Sequence, residues 1–302
     1  MTTADSNASG QNRITMFAGK GGVGKTTCAA ATALHLSGNG QTLAISTDAT
    51  PSLAHIFEVA ADGKPARVRP SLYINELGED EVREMWDGKF GREVYAVFAS
   101  FVDIGYRQFV EFMTSVLPGL GDEFMVDYIM ELSRRDDYRN IVWDTAPLGQ
   151  TLALLQTPAM LHRHLRMAPR IYSRLRLGQS SREPVLDILK RWDGLSAENM
   201  TFLREEVSLN LVTIPEALAV AQLEGIFRQI DRYGLRVTRL IINNVVNEPD
   251  SDFMLTKARQ QQGYLEQIYD HFSHLKIVEL PMFPYELKGL ARLKEAAGIL
   301  CP

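Results

Sequence analysis

The sequence predicts an α/β fold: a mostly parallel sheet flanked by helices, with an α-helical subdomain inserted into it. Three observations predict it. Short apolar runs alternate with helix-spaced segments, the pattern of βαβ units. A glycine-rich loop joins the first such strand to the first such helix. Two long stretches have helical spacing and no strand pattern. With 302 residues, 45% hydrophobic and 23% charged, the chain has the composition of a soluble globular protein with a sizeable core.

The elements follow in order. Met1 to Asn12 is small and polar and reads as a flexible tail (1–12) ahead of one domain (13–302). Arg13 to Ala18 is an apolar run, predicted to be a buried strand stopping at Gly19. Thr26 to Leu36 is Ala-rich and helical, ending at Gly38 and Gly40. Thr42–Ser46 and Leu72–Glu76 are predicted strands. The subdomain is expected from about 79–135 and 152–206. In its first part Val94, Val97, Phe98, Phe101, Val102, Phe109, Phe112 and Met113 recur at helical steps. Asn140 to Trp143, Leu209 to Thr213, Arg239 to Asn243 and Lys276 to Leu280 are further strands. Helices are predicted near Ala217 to Tyr233, Gln260 to Phe272 and Glu286 to Ala297.

Composition narrows the function classes. The net charge of −5 and pI near 5.8 favour neither nucleic acid nor an anionic membrane as partner. The two cysteines, Cys28 and Cys301, form neither a CxxC pair nor a zinc spacing. The N-terminus lacks the basic-then-apolar order of a signal peptide, and no apolar run reaches the roughly 18 residues of a membrane span. The expectation is a cytoplasmic protein that does not bind nucleic acid.

The loop carries the chemistry. Gly19-Lys20-Gly21-Gly22-Val23-Gly24-Lys25-Thr26-Thr27 contains GxxxxGK[ST] between an apolar strand and a helix, the context this motif needs. Glycines let backbone N–H groups turn inward around a phosphate, and the helix N-terminus adds positive partial charge. Lys25 is expected to neutralise β/γ-phosphate charge, and the Thr26 hydroxyl to ligate Mg²⁺. These features place the sheet in the P-loop NTPase class.

Lys20, directly after the first glycine, gives the loop a further character. Gly-Lys-Gly-Gly-Val-Gly-Lys-Thr-Thr resembles the deviant Walker A loop shared by the MinD and ParA ATPases, the nitrogenase iron protein, the arsenite-pump ATPase and the tail-anchored-protein targeting ATPase. That resemblance implies an ATP-sandwiching homodimer in which Lys20 reaches the partner's nucleotide. Ile45-Ser46-Thr47-Asp48 looks like the first switch of the arsenite-pump and targeting ATPases, whose aspartate positions the attacking water. Asp48 could also cap the helix predicted after Pro51. Asp144-Thr145-Ala146-Pro147-Leu148-Gly149-Gln150-Thr151 resembles their second switch, which makes Asp144 a Mg²⁺ ligand through water. The segment around Glu216 resembles one whose glutamate contacts the nucleoside. Ile241-Ile242-Asn243-Asn244 resembles the strand whose asparagine reads adenine, by alignment Asn244. Pro281 lies where the family closes the adenine pocket. The resemblance runs from about Arg13 to Ala297.

The sequence also departs from that family. Its cysteines do not fall where a metalloid site would lie, and it has one P-loop where the pump ATPase has tandem halves. The stretch matching the zinc-binding CxxC of the targeting branch, Ser251-Asp252-Phe253-Met254-Leu255, has no cysteine, so no zinc is expected. In the switches, Leu148 and Gln150 replace a threonine and a histidine, and Ala49-Thr50-Pro51 replaces Pro-Ala-His. The resemblance therefore implies a Mg²⁺-dependent homodimeric ATPase that captures and releases hydrophobic client segments. An arsenite-pump ATPase and a MinD/ParA-like positioning ATPase are the alternatives. The insert is rich in Met and aromatics, namely Met85, Trp86, Phe98, Phe101, Phe109, Phe112, Met113, Phe124, Met125, Met130 and Met160. These residues suit either a client groove or a plain core. The basic run His162 to Arg166, with Arg170, Arg174 and Arg176, could meet an acidic partner or simply face solvent.

Overall fold

The computed structural model describes residues 13–48, 52–60, 64–99, 105–110, 120–146, 149 and 179–302. Eight strands form one sheet in the order β3-β4-β2-β5-β1-β6-β7-β8. They are β1 (Ile14–Gly19), β2 (Thr42–Ser46), β3 (Ala66–Arg69), β4 (Leu72–Glu76), β5 (Asn140–Asp144), β6 (Val207–Thr213), β7 (Val237–Val245) and β8 (Lys276–Pro281). All neighbours run parallel except β3, which lies antiparallel to β4 at the edge. A parallel sheet needs both faces covered, which explains why its strands read as unbroken apolar runs.

Sequence periodicity sorts the two faces. On β1, Ile14, Met16 and Ala18 point to one side and Phe17 to the other. The Phe17 side is covered by α1 (Lys25–Leu36), α2 (Leu53–Phe57) and the C-terminal α9 (Gly289–Leu300). Helix α1 buries Cys28 through Leu34. Its alanines allow close approach to the sheet and to α9, which packs on it through Leu293, Ala296, Ala297 and Leu300.

The Met16 side carries the rest. There lie α3 (Glu79–Trp86), a π-helical turn (Asp87–Gly91), α4 (Arg92–Phe98), α5 (Leu120–Arg134) and α6 (Gln179–Glu205). Helices α7 (Ala217–Arg232) and α8 (Asp252–Phe272) complete that layer. Among the described residues between β4 and β5, all regular structure is helical. Trp86, Phe109, Phe124, Met125 and Met130 are buried in one core with Ile45 and Trp143 of the sheet. These five residues are core. Phe101, Phe112, Met113 and Met160 lie outside the described residues, as do the tail 1–12 and the basic run 162–176.

Two differences from the sequence reading have physical reasons. Strand β3 carries Arg67 and Arg69 and four residues in all, so it has too little apolar signal to read as a strand. It exists because β4 offers it an edge. Helix α8 starts eight residues before the expected Gln260, where Ser251 caps it by accepting from the Met254 N–H at 3.3 Å. No helix among the described residues is long and apolar enough to cross a membrane.

Candidate nucleotide site

The site forms where β1, β5 and β2 end together. Pairing sets Phe17 opposite Asp144, and Asp144 opposite Ser46. The chain then leaves β1 at Gly19, where any Cβ would come within 2.5 Å of the Val212 carbonyl oxygen of β6. Glycine is required there by close packing. Gly22 (φ 78°) and Gly24 (φ 92°) both occupy the left-handed region, so the loop turns back on itself before α1 begins.

The loop has two internal anchors. Lys25 is buried, and its Nζ donates to the Lys20 carbonyl at 3.1 Å. The Asn243 amide, also buried, donates from Nδ2 to the Val23 carbonyl at 2.9 Å. Asn243 leaves so little room that a Cβ on Gly24 would meet its Nδ2. Loop conformation thus depends on a strand more than 200 residues away.

Electrostatics concentrate on one carboxylate. Asp144 is 1% exposed, and Ser46 Oγ donates to its Oδ2 at 3.2 Å. Burial raises its pKa to about 6, against the lowering effects of the Thr26 hydroxyl, the Lys25 ammonium and Ser46. Its Oδ1 is buried with no hydrogen-bond partner. Burial lowers the pKa of Lys25, while Asp144 and Asp48 pull it back up. A buried lysine, two carboxylates and an orphaned oxygen make a site that gains from an oxyanion and a hard cation together.

Smaller contacts shape the switches. Asp48 donates its backbone N–H to Ser46 Oγ at 3.4 Å, Trp143 Nε1 donates to Thr47 Oγ1 at 3.1 Å, and Thr145 Oγ1 donates to the Phe17 carbonyl at 2.7 Å. The N-cap position of α2 is held by Ser52, without a side-chain cap hydrogen bond, and not by Asp48. Ala49 to Pro51, Pro147, Leu148 and Gln150 lie outside the described residues.

The remaining predicted positions line the same edge of the sheet. Asn244, one residue before the end of β7, is in the left-handed region (φ 59°) with its side chain exposed, and Val245 beside it pairs with Pro281. The buried Gln261 holds this corner, donating to the Asn244 carbonyl at 2.9 Å and accepting from the Val246 N–H at 2.8 Å. Glu216 occupies the N-cap position of α7 without a side-chain cap hydrogen bond, and it lines a separate cleft with Phe253. The structure therefore brings Lys25, Thr26, Asp48 and Asp144 into one electrostatic cluster and sets Asn244 and Pro281 on adjacent strand ends. Sequence reading passed over Ser46, Asn243, Thr145 and Gln261 as site builders. A polar residue inside an apolar strand, as in RLIIN, was the available signal for Asn243.

Strand, left-handed glycine loop, buried lysine and strand-end aspartate define an α/β protein of the P-loop nucleotide hydrolase class. Within that class, the sequence matches the family model described as anion-transporting ATPase over residues 12–301, and the chain belongs to that ATPase family. It is an ATP hydrolase by this membership. The putative arsenical pump-driving ATPase 2 of Aquifex aeolicus (strain VF5) is 28% identical, over 95% of this chain and 99% of the relative. ATPase GET3A of Arabidopsis thaliana is 29% identical, over 91% of this chain and 80% of the relative. The ATPase ASNA1 homolog of Dictyostelium discoideum is 27% identical, over 93% of this chain and 87% of the relative.

Proposed function

We propose that this chain is a Mg²⁺-dependent, homodimeric cytoplasmic ATPase that couples hydrolysis to capture and release of hydrophobic client segments. The observation that carries the hydrolytic part is Asp144, a buried carboxylate with an unpartnered Oδ1 next to Lys25 and Thr26. Its oxygen donors suit Mg²⁺, which Thr26 would hold directly and Asp144 through water. The metal would supply neutralisation of phosphate charge. The backbone N–H groups from Gly19 to Thr27 cradle the phosphates, and Lys25 leaves the Lys20 carbonyl to meet them. Asp48 orients the attacking water. Lys20 acts across the dimer on the partner's nucleotide. Asn244 reads the adenine edge, Pro281 closes over it, and Glu216 contacts the nucleoside.

The client part is supported by the extent of the likeness to the GET3 ATPase and by the insert expected at about 79–135 and 152–206. Clients would meet that helical subdomain, and the domain 13–302 would change its shape with nucleotide. A second reading, an arsenical pump ATPase, is favoured by the names of some relatives. Against it, Cys28 is wholly buried with its thiol pushed up to about 12, a poor state for a soft ligand that must be a thiolate. Against a MinD-like membrane role, the C-terminal helix α9 packs its apolar face on α1.

Two measurements test the proposal. ATP turnover should collapse in Lys25→Ala and in Asp48→Asn, and unchanged turnover in both would refute the assigned roles. An apolar helical peptide should be captured in one nucleotide state and released in another. Capture that is indifferent to ATP would remove the client reading.

A further inference from the structure

We infer that Gln261 is a positioning residue for base recognition, the side chain that aims Asn244 at the purine. The inference rests on the reading of Asn244 as the adenine reader and says what sets that residue's geometry. Gln261 lies on the inward stripe of α8 with Ile268 and Phe272, and it is 3% exposed. The other two are apolar, and an amide buried beside them costs free energy unless it is hydrogen-bonded. Both of its ends are. Nε2 donates to the Asn244 carbonyl at 2.9 Å, and Oε1 accepts from the Val246 N–H at 2.8 Å. Glutamine can do both at once, whereas an ionised glutamate only accepts and methionine does not donate.

The strand explains why an amide is needed. Strand β7 advances from Ile242 to Val245 while β8 advances only from Glu279 to Pro281, so β7 carries one residue more. That is a bulge, which turns a side chain out of the regular alternation. Asn244 stands in it at φ 59°, a backbone hand that residues with a side chain rarely adopt. The two hydrogen bonds to Gln261 fix the peptide planes on either side of Val245. The change of hand keeps the Asn243 amide inward on Val23 and leaves the Asn244 side chain exposed next to the Val245–Pro281 pair. An amide recognises a purine edge only from a narrow range of distance and angle. A corner that samples other conformations loses that geometry in proportion to the time spent in them. Gln261 removes those conformations from outside the pocket.

The test compares kcat/KM for ATP with kcat/KM for GTP on the full chain. Both values come from one preparation, so any inactive fraction cancels from their ratio. The variants are Gln261→Met, which keeps the length of the side chain, Gln261→Leu, Asn244→Ala, and Gln261→Met combined with Asn244→Ala. Wild type is expected to prefer ATP. Each single variant should lower that preference about tenfold, the effect of losing one well-placed hydrogen bond. The combined variant should be no less selective than Asn244→Ala alone. No preference in wild type, or an unaltered preference in Asn244→Ala, would overturn the base-reading role of Asn244 and this inference with it. A lowered preference in Asn244→Ala beside wild-type preference in both Gln261 variants would overturn this inference alone and leave Gln261 a packing residue. Full additivity in the combined variant would overturn it too, because Gln261 would then act elsewhere than through Asn244. In the wild-type protein the Val246 amide should resist hydrogen exchange, and rapid exchange there would overturn the anchor itself.

Discussion

Asn243→Ala should weaken nucleotide binding although its side chain points at the loop and not at the nucleotide edge. The amide donates to the Val23 carbonyl at 2.9 Å, and both residues are buried. Removing it leaves that carbonyl without its partner, at a cost of about 1–3 kcal/mol. The loop between Gly22 and Gly24 runs through two left-handed residues and has Lys25 on Lys20 as its other internal anchor. Most of the cost therefore falls on the loop's cradle shape. Apparent affinity falls with the fraction of chains holding that shape, so the ATP-analogue Kd should rise about 5- to 150-fold. Calorimetric titration of Asn243→Ala measures it, with Asn244→Ala as the contrast. Asn244 has an exposed side chain and should alter the preference for adenine over guanine while leaving loop shape intact. Gly24→Ala breaks the same contact, since its Cβ would collide with Asn243 Nδ2. The two substitutions should be strongly non-additive in a double-mutant cycle. An Asn243→Ala variant with wild-type affinity would refute the anchor.

Other outcomes follow from the same contacts. Asp144→Asn should bind ATP with little gain from added Mg²⁺, measured by titration with and without EDTA, because the site loses the buried one of its two carboxylates. Lys89→Met should destabilise the fold by about 3–5 kcal/mol in denaturant titrations. Lys89 bridges Asp127, whose side chain is 2% exposed, and Glu131 at 2.6 Å. That loss should depend on pH. Burial raises the Asp127 pKa and Lys89 opposes the rise, so the variant's carboxyl has a folded pKa further above its unfolded value. The penalty belongs to the charged form, so it should be full well above the usual carboxylate range and shrink as the pH falls toward that range and the group takes up a proton. A deficit constant over that fall in pH would refute the buried-carboxylate explanation.

Much of this molecule is local in origin, and the sequence alone determined that part. The seven longer strands, helix α1 and the phosphate loop are each encoded by neighbouring residues: apolar runs, alanine spacing, and glycines before Lys25-Thr26. Asp48 and Asp144 stand out in the sequence because each lies at or just past the end of an apolar strand run. Tertiary structure decided the rest, since it depends on pairs distant in sequence. Strand β3 exists only because β4 offers an edge. Trp86, Phe109, Phe124, Met125 and Met130 are core because the sheet face beneath them is apolar, which spacing alone could not distinguish from a groove. Asn243 became a loop anchor, and Asn244 an exposed residue near the end of β7, through a change of backbone hand between adjacent asparagines. Folding buries Asp144 with one oxygen left without a hydrogen bond, and no local pattern encodes burial of that kind.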